Sequence, residues 1–185
     1  MNPSILKEKV AASRGAGGGR IRGRLAHRIH LEVTPEEIAV ITFDHPDKAA
    51  NIFDEDTLDE LHLAIGAIES LQPEGVLFVS AKPTIFIAGA DLDSLADATE
   101  ERLEHLIVKG QDVFDRVAGL TMPTAAAIHG ACVGGGLELA LACDVRVASN
   151  DRVTKIGLPE TRLGILPAWG GSTRLPRLIG PVSYT

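Results

Sequence analysis

Cysteine is scarce in this 185-residue chain. Cys132 and Cys143 lie within one apolar segment, with no metal-ligand spacing around them. There is no material for a disulfide framework or a Cys/His metal cluster, and the two thiols read as packed and reduced, in a cytosol-like compartment. Long hydrophobic runs are missing too. No stretch reaches eighteen consecutive apolar residues, and the first thirty residues lack the continuous run of a secretory signal. No membrane span is expected, and the reading is a soluble cytoplasmic protein. Also absent are H-E-x-x-H, G-x-S-x-G and G-x-x-x-x-G-K-[ST]. Zinc hydrolysis, the serine-hydrolase mechanism and a phosphate-binding loop therefore lack their parts, and neither a metal nor a nucleic acid is expected as a partner.

What is present divides by charge. Residues 1–30 hold seven Lys or Arg against Glu8, a net +6; subtracting this from the overall −7 leaves −13 for residues 31–185. Glycine mixed with charge in "RGAGGGRIRGRLAHR" reads as a basic flexible leader over 1–30. Its arginines give the mitochondrial matrix as the alternative location.

From residue 31 the pattern is that of one α/β domain. "HLEV" and "IAVITFD", separated by "TPEE", predict a hairpin. Leu58, Leu61, Ile65 and Ile68 recur at helical spacing behind a cap near Asp54. "GVLFVSA" predicts a strand buried on both faces, followed across "KPT" by "IFIAGAD". Leu103, Leu106, Ile107, Val113, Phe114 and Val117 mark the buried side of a longer helix that ends before Met122, ahead of Pro123. "TAAAIHG" is a third strand, "GACVGGGLELALACD" opens a third helix, and "DVRVAS" returns as a strand. The last segment, "KIGLPETRLGILPAWGGSTRLPRLIG", predicts loop plus a short helix. Strand pairs before each helix suit a spiral of β-β-α units better than a doubly wound sheet.

Three consecutive glycines, Gly134 to Gly136, at a helix start cost about a kilocalorie per mole each relative to alanine. They leave backbone N–H groups approachable and partly positive, a place for an anion or for an oxygen that becomes negative during reaction. Gly89 and Ala90 end another strand with almost no side chain, open to the same reading or to that of a plain tight turn. Glu138 is open to two readings, an ordinary first-turn acid or half of a catalytic pair with Glu160, 22 residues on. Two carboxylates sharing one water have their pKa values pushed apart and supply an acid and a base. His129, beside the glycines, reads as a hydrogen-bonded structural histidine.

"IFIAGADL", "AAIHGACVGGGLELALACDVRVAS" and "IGLPETRLGILPAWGGSTRLPRLIG" resemble, in order, the signature blocks of the crotonase, or enoyl-CoA hydratase/isomerase, superfamily. "GLPET" and the 22-residue interval look most like the hydratase domain that opens multifunctional fatty-acid oxidation α-subunits. The resemblance implies a crotonase-like spiral over 31–185, without the C-terminal helical part of family members. It implies that the N–H groups of Ala90 and Gly135 hold the thioester oxygen of an enoyl-CoA while Glu138 and Glu160 position a water. It places Ala88, Gly89, Asp91, Leu92, Gly134 and Trp169 against the substrate, and gives Lys48 of "HPDKAAN" a CoA phosphate or mere solvent as partner. No cofactor is implied beyond the CoA of the substrate, and the partners implied are further copies of the chain or a fatty-acid oxidation complex. Hydration is the leading expectation; the alternatives are a double-bond isomerase and a non-catalytic acyl-CoA-binding or assembly fragment. The family's P-G-x-G-G stands here as "PAWGG", so Ala168 and bulky Trp169 are expected to narrow the acyl pocket.

Overall fold

The computed structural model describes residues 21–24 and 27–180. Two sheets share one core. The larger has six strands in the order β1 (Ile21–Arg24), β2 (Ile29–Val33), β3 (Ile38–Phe43), β4 (Gly75–Ser80), β6 (Thr124–Ile128) and β8 (Val145–Ala148). The smaller has three very short ones, β5 (Ile85–Ile87), β7 (Ala131–Val133) and β9 (Lys155–Gly157). Among the described residues the helices are α1 (Glu55–Leu71), α2 (Leu92–Ala96), α3 (Glu100–Ala118), α4 (Gly135–Ala142) and α5 (Gly171–Ile179), with a 3-10 turn at Glu160–Leu163.

The expected hairpin is β2–β3, antiparallel, with Ile29 opposite Phe43. Beyond it the ladder turns parallel, β3 on β4, β4 on β6 and β6 on β8. The strand–strand–helix rhythm is that of a spiral of β-β-α units, as the motifs imply. Three details differ from the sequence reading. "GVLFVS" and "IFI" are not a hairpin: β4 belongs to the large sheet and β5 to the small one, paired with β7. β4 has parallel neighbours on both sides, yet Leu77 and Val79 are only half-buried, so one face alone is fully in the core. The sheet also begins inside the stretch read as leader, since β1 pairs antiparallel with β2.

Helix α1 forms where its stripe predicts. Leu58, Leu61, Ile65 and Ile68 are fully buried, and Asp54 caps the helix by accepting from the Thr57 N–H and hydroxyl at 2.8 and 2.6 Å. Asp54→Ala is expected to lower stability by about 1 kcal/mol in urea denaturation, the usual worth of such a cap. Glu60, on the same helix, accepts N–H bonds from His27, Arg28 and Ile29 at 2.8–3.0 Å, tying the entry of β2 to α1. Both cysteines are buried and free, and burial pushes their thiols up to about 12, so no thiolate forms near neutral pH. No helix among the described residues is long and apolar enough to cross a membrane.

Candidate active site

β5, β7 and β9 run parallel, so the segments leaving their carboxyl ends, 88–91, 134–138 and 158–160, emerge at one edge. That edge is where parallel α/β sheets bind ligands. The segments enclose a cavity of about 910 Å3 lined by Ala88 to Leu92, Gly134, Gly135, Glu138, Glu160 and Trp169. Every site residue expected from the sequence therefore lines one cavity. Of the three short strands that achieve this, β5 is the "IFI" of a strand the sequence showed, while β7 and β9 went unread because three residues carry no legible periodicity.

Each glycine of the triplet gives way to something. A Cβ on Gly134 would sit 2.9 Å from Glu160 Oε1, one on Gly135 2.7 Å from the Trp169 ring, and one on Gly136 2.3 Å from the Ile87 carbonyl oxygen. Side chains there would displace a carboxylate, an indole and a strand. The triplet thus serves packing as well as access.

Two N–H groups are left over. Phe53 donates to the Gly89 carbonyl at 2.8 Å and accepts from the Asp91 N–H at 3.2 Å, a one-residue parallel bridge. The alternation of such a bridge turns the intervening Ala90 N–H the other way. Gly134 donates to the Gly157 carbonyl at 3.0 Å, whereas Gly135, first residue of α4, has no helical acceptor. Among the described residues neither Ala90 nor Gly135 donates to a protein acceptor. The two turns touch, for a Cβ on Gly89 (φ 98°) would lie 3.2 Å from the Gly135 nitrogen. Both N–H groups belong to residues that line the cavity.

The acids differ in how they are held. Glu138, 2% exposed, accepts through Oε1 from the N–H groups of Trp169 and Gly171 at 2.8 and 2.9 Å. Burial pushes its carboxyl up to about 7; those two N–H bonds oppose the rise and the nearby Glu160 carboxylate adds to it. Glu160 is 7% exposed, and its carboxyl is also raised by burial, against its own backbone N–H. Its Oε2 is buried without a hydrogen-bond partner. Both acids thus line the same cavity, Glu138 held at one oxygen and Glu160 with one carboxylate oxygen unpaired.

Glu138 also marks a pH dependence. Its folded pKa lies above the ordinary 4.5, so folding favours the protonated form; its full contribution is present below pH 4.5 and is lost as pH rises to about 7. The loss amounts to roughly 3 kcal/mol. Urea midpoints are expected to fall across that window in the parent and to fall less steeply in Glu138→Gln, where the raised Glu160 carboxyl still contributes in the same direction.

Other expectations fall as follows. His129 bonds through Nε2 to the Lys82 carbonyl and does not line the cavity, as a structural histidine should. Lys48 pairs with Asp91 at 2.9 Å beside the cavity, so it is neither merely solvated nor free for a phosphate without breaking that bridge. Leu103, Leu106 and Ile107 do not share the burial of Val113, Phe114 and Val117: they line the cavity instead, Ile107 at 38% exposure. The first half of α3 is thus a wall of the site, a signal hidden in a stripe that looked like core. Trp169 is 5% exposed and tucked between Gly110 and Gly135. No group of three or more His, Cys, Asp or Glu among the described residues could hold a metal ion.

Residues 33–183 match the protein family described as enoyl-CoA hydratase/isomerase. The chain is 46% identical over 153 residues to the fatty acid oxidation complex subunit alpha of Idiomarina loihiensis, covering 81% of this chain and 22% of that protein. The crystal structure of an enoyl-CoA hydratase from Geobacillus kaustophilus superposes with a TM-score of 0.84 at 32% identity, over 90% of this chain and 61% of that one. An enoyl-CoA hydratase from Bacillus anthracis gives 0.79 at 34% identity, over 85% and 60%. The chain thus spans about a fifth of the curated relative and about three fifths of these structures.

Proposed function

The chain belongs to the enoyl-CoA hydratase/isomerase family, and from that premise we propose that it adds water across the 2,3 double bond of a 2-enoyl-CoA thioester in fatty-acid oxidation. The observation that carries this reading is that two buried carboxylates and two undonated backbone N–H groups belong to residues lining one cavity. Attack at the β-carbon drives electrons onto the thioester oxygen, and the Ala90 and Gly135 N–H groups stabilise the resulting enolate more than they stabilise the substrate. Removing one such donor typically costs about 3–4 kcal/mol of barrier lowering. One glutamate takes a proton from the water as its oxygen bonds to the β-carbon. The other acid delivers a proton to the α-carbon, and the enolate collapses to the 3-hydroxyacyl thioester. In this reading the water lies between the two carboxylates, both of which line the cavity. No cofactor takes part beyond the CoA of the substrate.

Double-bond isomerisation needs one acid to move one proton; the orphaned second carboxylate favours hydration. Assay with crotonyl-CoA beside titration with a saturated acyl-CoA tests the reading. Turnover to 3-hydroxybutyryl-CoA is the expected result. Binding without turnover would point to an acyl-CoA-binding module, and no binding would end the proposal. In the cell we place the chain in the cytoplasm, as the hydratase portion of a larger fatty-acid oxidation assembly.

A further inference from the structure

We propose, resting on the hydration reading above, that Trp169 is a positioning residue, through which Glu138 and the Ala90 and Gly135 N–H groups are held in one fixed arrangement. The contacts of this single residue carry the inference. Its backbone N–H donates to Glu138 Oε1 at 2.8 Å. The six-membered ring of its indole lies against the residue that bears one of the donors, since a Cβ on Gly135 would sit 2.7 Å from Cζ3 and 2.8 Å from Cε3. The indole also stands edge-on to the Phe53 ring, with centroids 5.8 Å apart. It is the backbone of Phe53 that bridges Gly89 and Asp91 and so orients the Ala90 N–H between them.

The unit is clamped from the other side as well. Gln111 donates through its side-chain amide to the Ala168 carbonyl at 2.8 Å, and Arg174 donates to the Trp169 carbonyl at 2.9 Å. The five-membered ring of the indole abuts α3, where a Cβ on Gly110 would collide with Nε1 and Cε2. Among the described residues Nε1 is buried there without a hydrogen-bond partner. Burying a donor in that way is unfavourable, and a phenylalanine would avoid it. What the bicyclic ring supplies is span, because a single six-membered ring does not reach both Gly110 and Gly135. Donors and acids stabilise a transition state best when they need no rearrangement as charge develops. A misplacement of about 1 Å can cost about a hundredfold in rate.

The test uses the full chain and compares Trp169→Phe, Gly110→Ala and the two together with the parent. It follows kcat for crotonyl-CoA hydration, butyryl-CoA affinity by calorimetry, and the absorbance of bound 2,4-hexadienoyl-CoA, whose maximum moves to longer wavelength as N–H donors polarise its thioester carbonyl. Trp169→Phe is expected to lower kcat by roughly ten- to a hundredfold and to shrink the absorbance shift, with butyryl-CoA affinity within about threefold of the parent. Gly110→Ala alone is expected to lower both kcat and the shift, because its methyl displaces the indole; added to Trp169→Phe it is expected to raise them, because it fills the space the five-membered ring leaves. A merely structural role would move urea midpoints and leave the shift of the bound probe at its parent value, and that result overturns the proposal. So would parent kcat in Trp169→Phe, or harm from Gly110→Ala in both backgrounds. Should Trp169→Phe not fold, Gly110→Ala, which removes no side chain, carries the same readout. The probe reports the donors whether or not water is added: a parent that shifts the probe without turnover would sink the hydration reading while the variants' shifts still decide the role of Trp169, whereas a parent that binds the probe without a shift would overturn that role.

Discussion

Glu138→Gln and Glu160→Gln are each expected to lower crotonyl-CoA hydration by roughly a hundred- to ten-thousand-fold, the usual worth of a general acid or base. The change keeps shape and hydrogen-bonding capacity but removes the proton-accepting charge. In Glu138→Gln the amide oxygen can still accept from the N–H groups of Trp169 and Gly171, which holds α4 against the 169–171 turn. In Glu160→Gln the Oε1 position against Gly134 remains filled. Affinity for a saturated acyl-CoA is therefore expected to change far less than turnover. Steady-state hydration and calorimetric titration of the two variants check this. Parent-level hydration in either one rejects the two-carboxylate assignment.

Gly130→Ala is expected to destabilise the fold by about 3 kcal/mol or more, enough to leave a marginal domain largely unfolded. Gly130 has φ 64°, and a Cβ there would lie 1.8 Å from the Thr84 carbonyl oxygen. The neighbour is backbone at the start of β5 and cannot swing aside. The same contact holds β7 in place, since Ala131 donates to that carbonyl at 3.0 Å, so the strand that delivers Gly134 and Gly135 would shift with it. Gly157→Ala is the matched control: nothing lies within 4 Å of its Cβ position, and its cost should be small. Urea denaturation of the pair decides the matter. Equal midpoints would mean that the 84–130 approach relaxes freely.

Much of the local structure is legible from the chain. A stripe at 58, 61, 65 and 68 can only be buried on one side of a helix, and it is. The 134–136 glycines announce a need for bare backbone, since each costs about a kilocalorie per mole in a helix, while the packing they also serve shows only in the structure. The cost of Gly110 inside α3 was an equally good signal: a glycine three residues past Ile107 marks a close approach, which Trp169 makes.

Sequence alone, then, determined the longer strands and helices and the demand for bare backbone at the glycine triplet, because these follow from periodicity, capping and steric cost within a few residues, whereas the pairing of Glu138 with Glu160 came from the resemblance. Tertiary structure decided which turns meet. Three strands of three residues, two of them too short to announce themselves, bring the ends of 85–87, 131–133 and 155–157 side by side, and the Trp169 indole packs between Gly110 and Gly135 beside the apolar cavity. Those are long-range contacts, fixed by the closing of the whole core, and no window of the chain contains them.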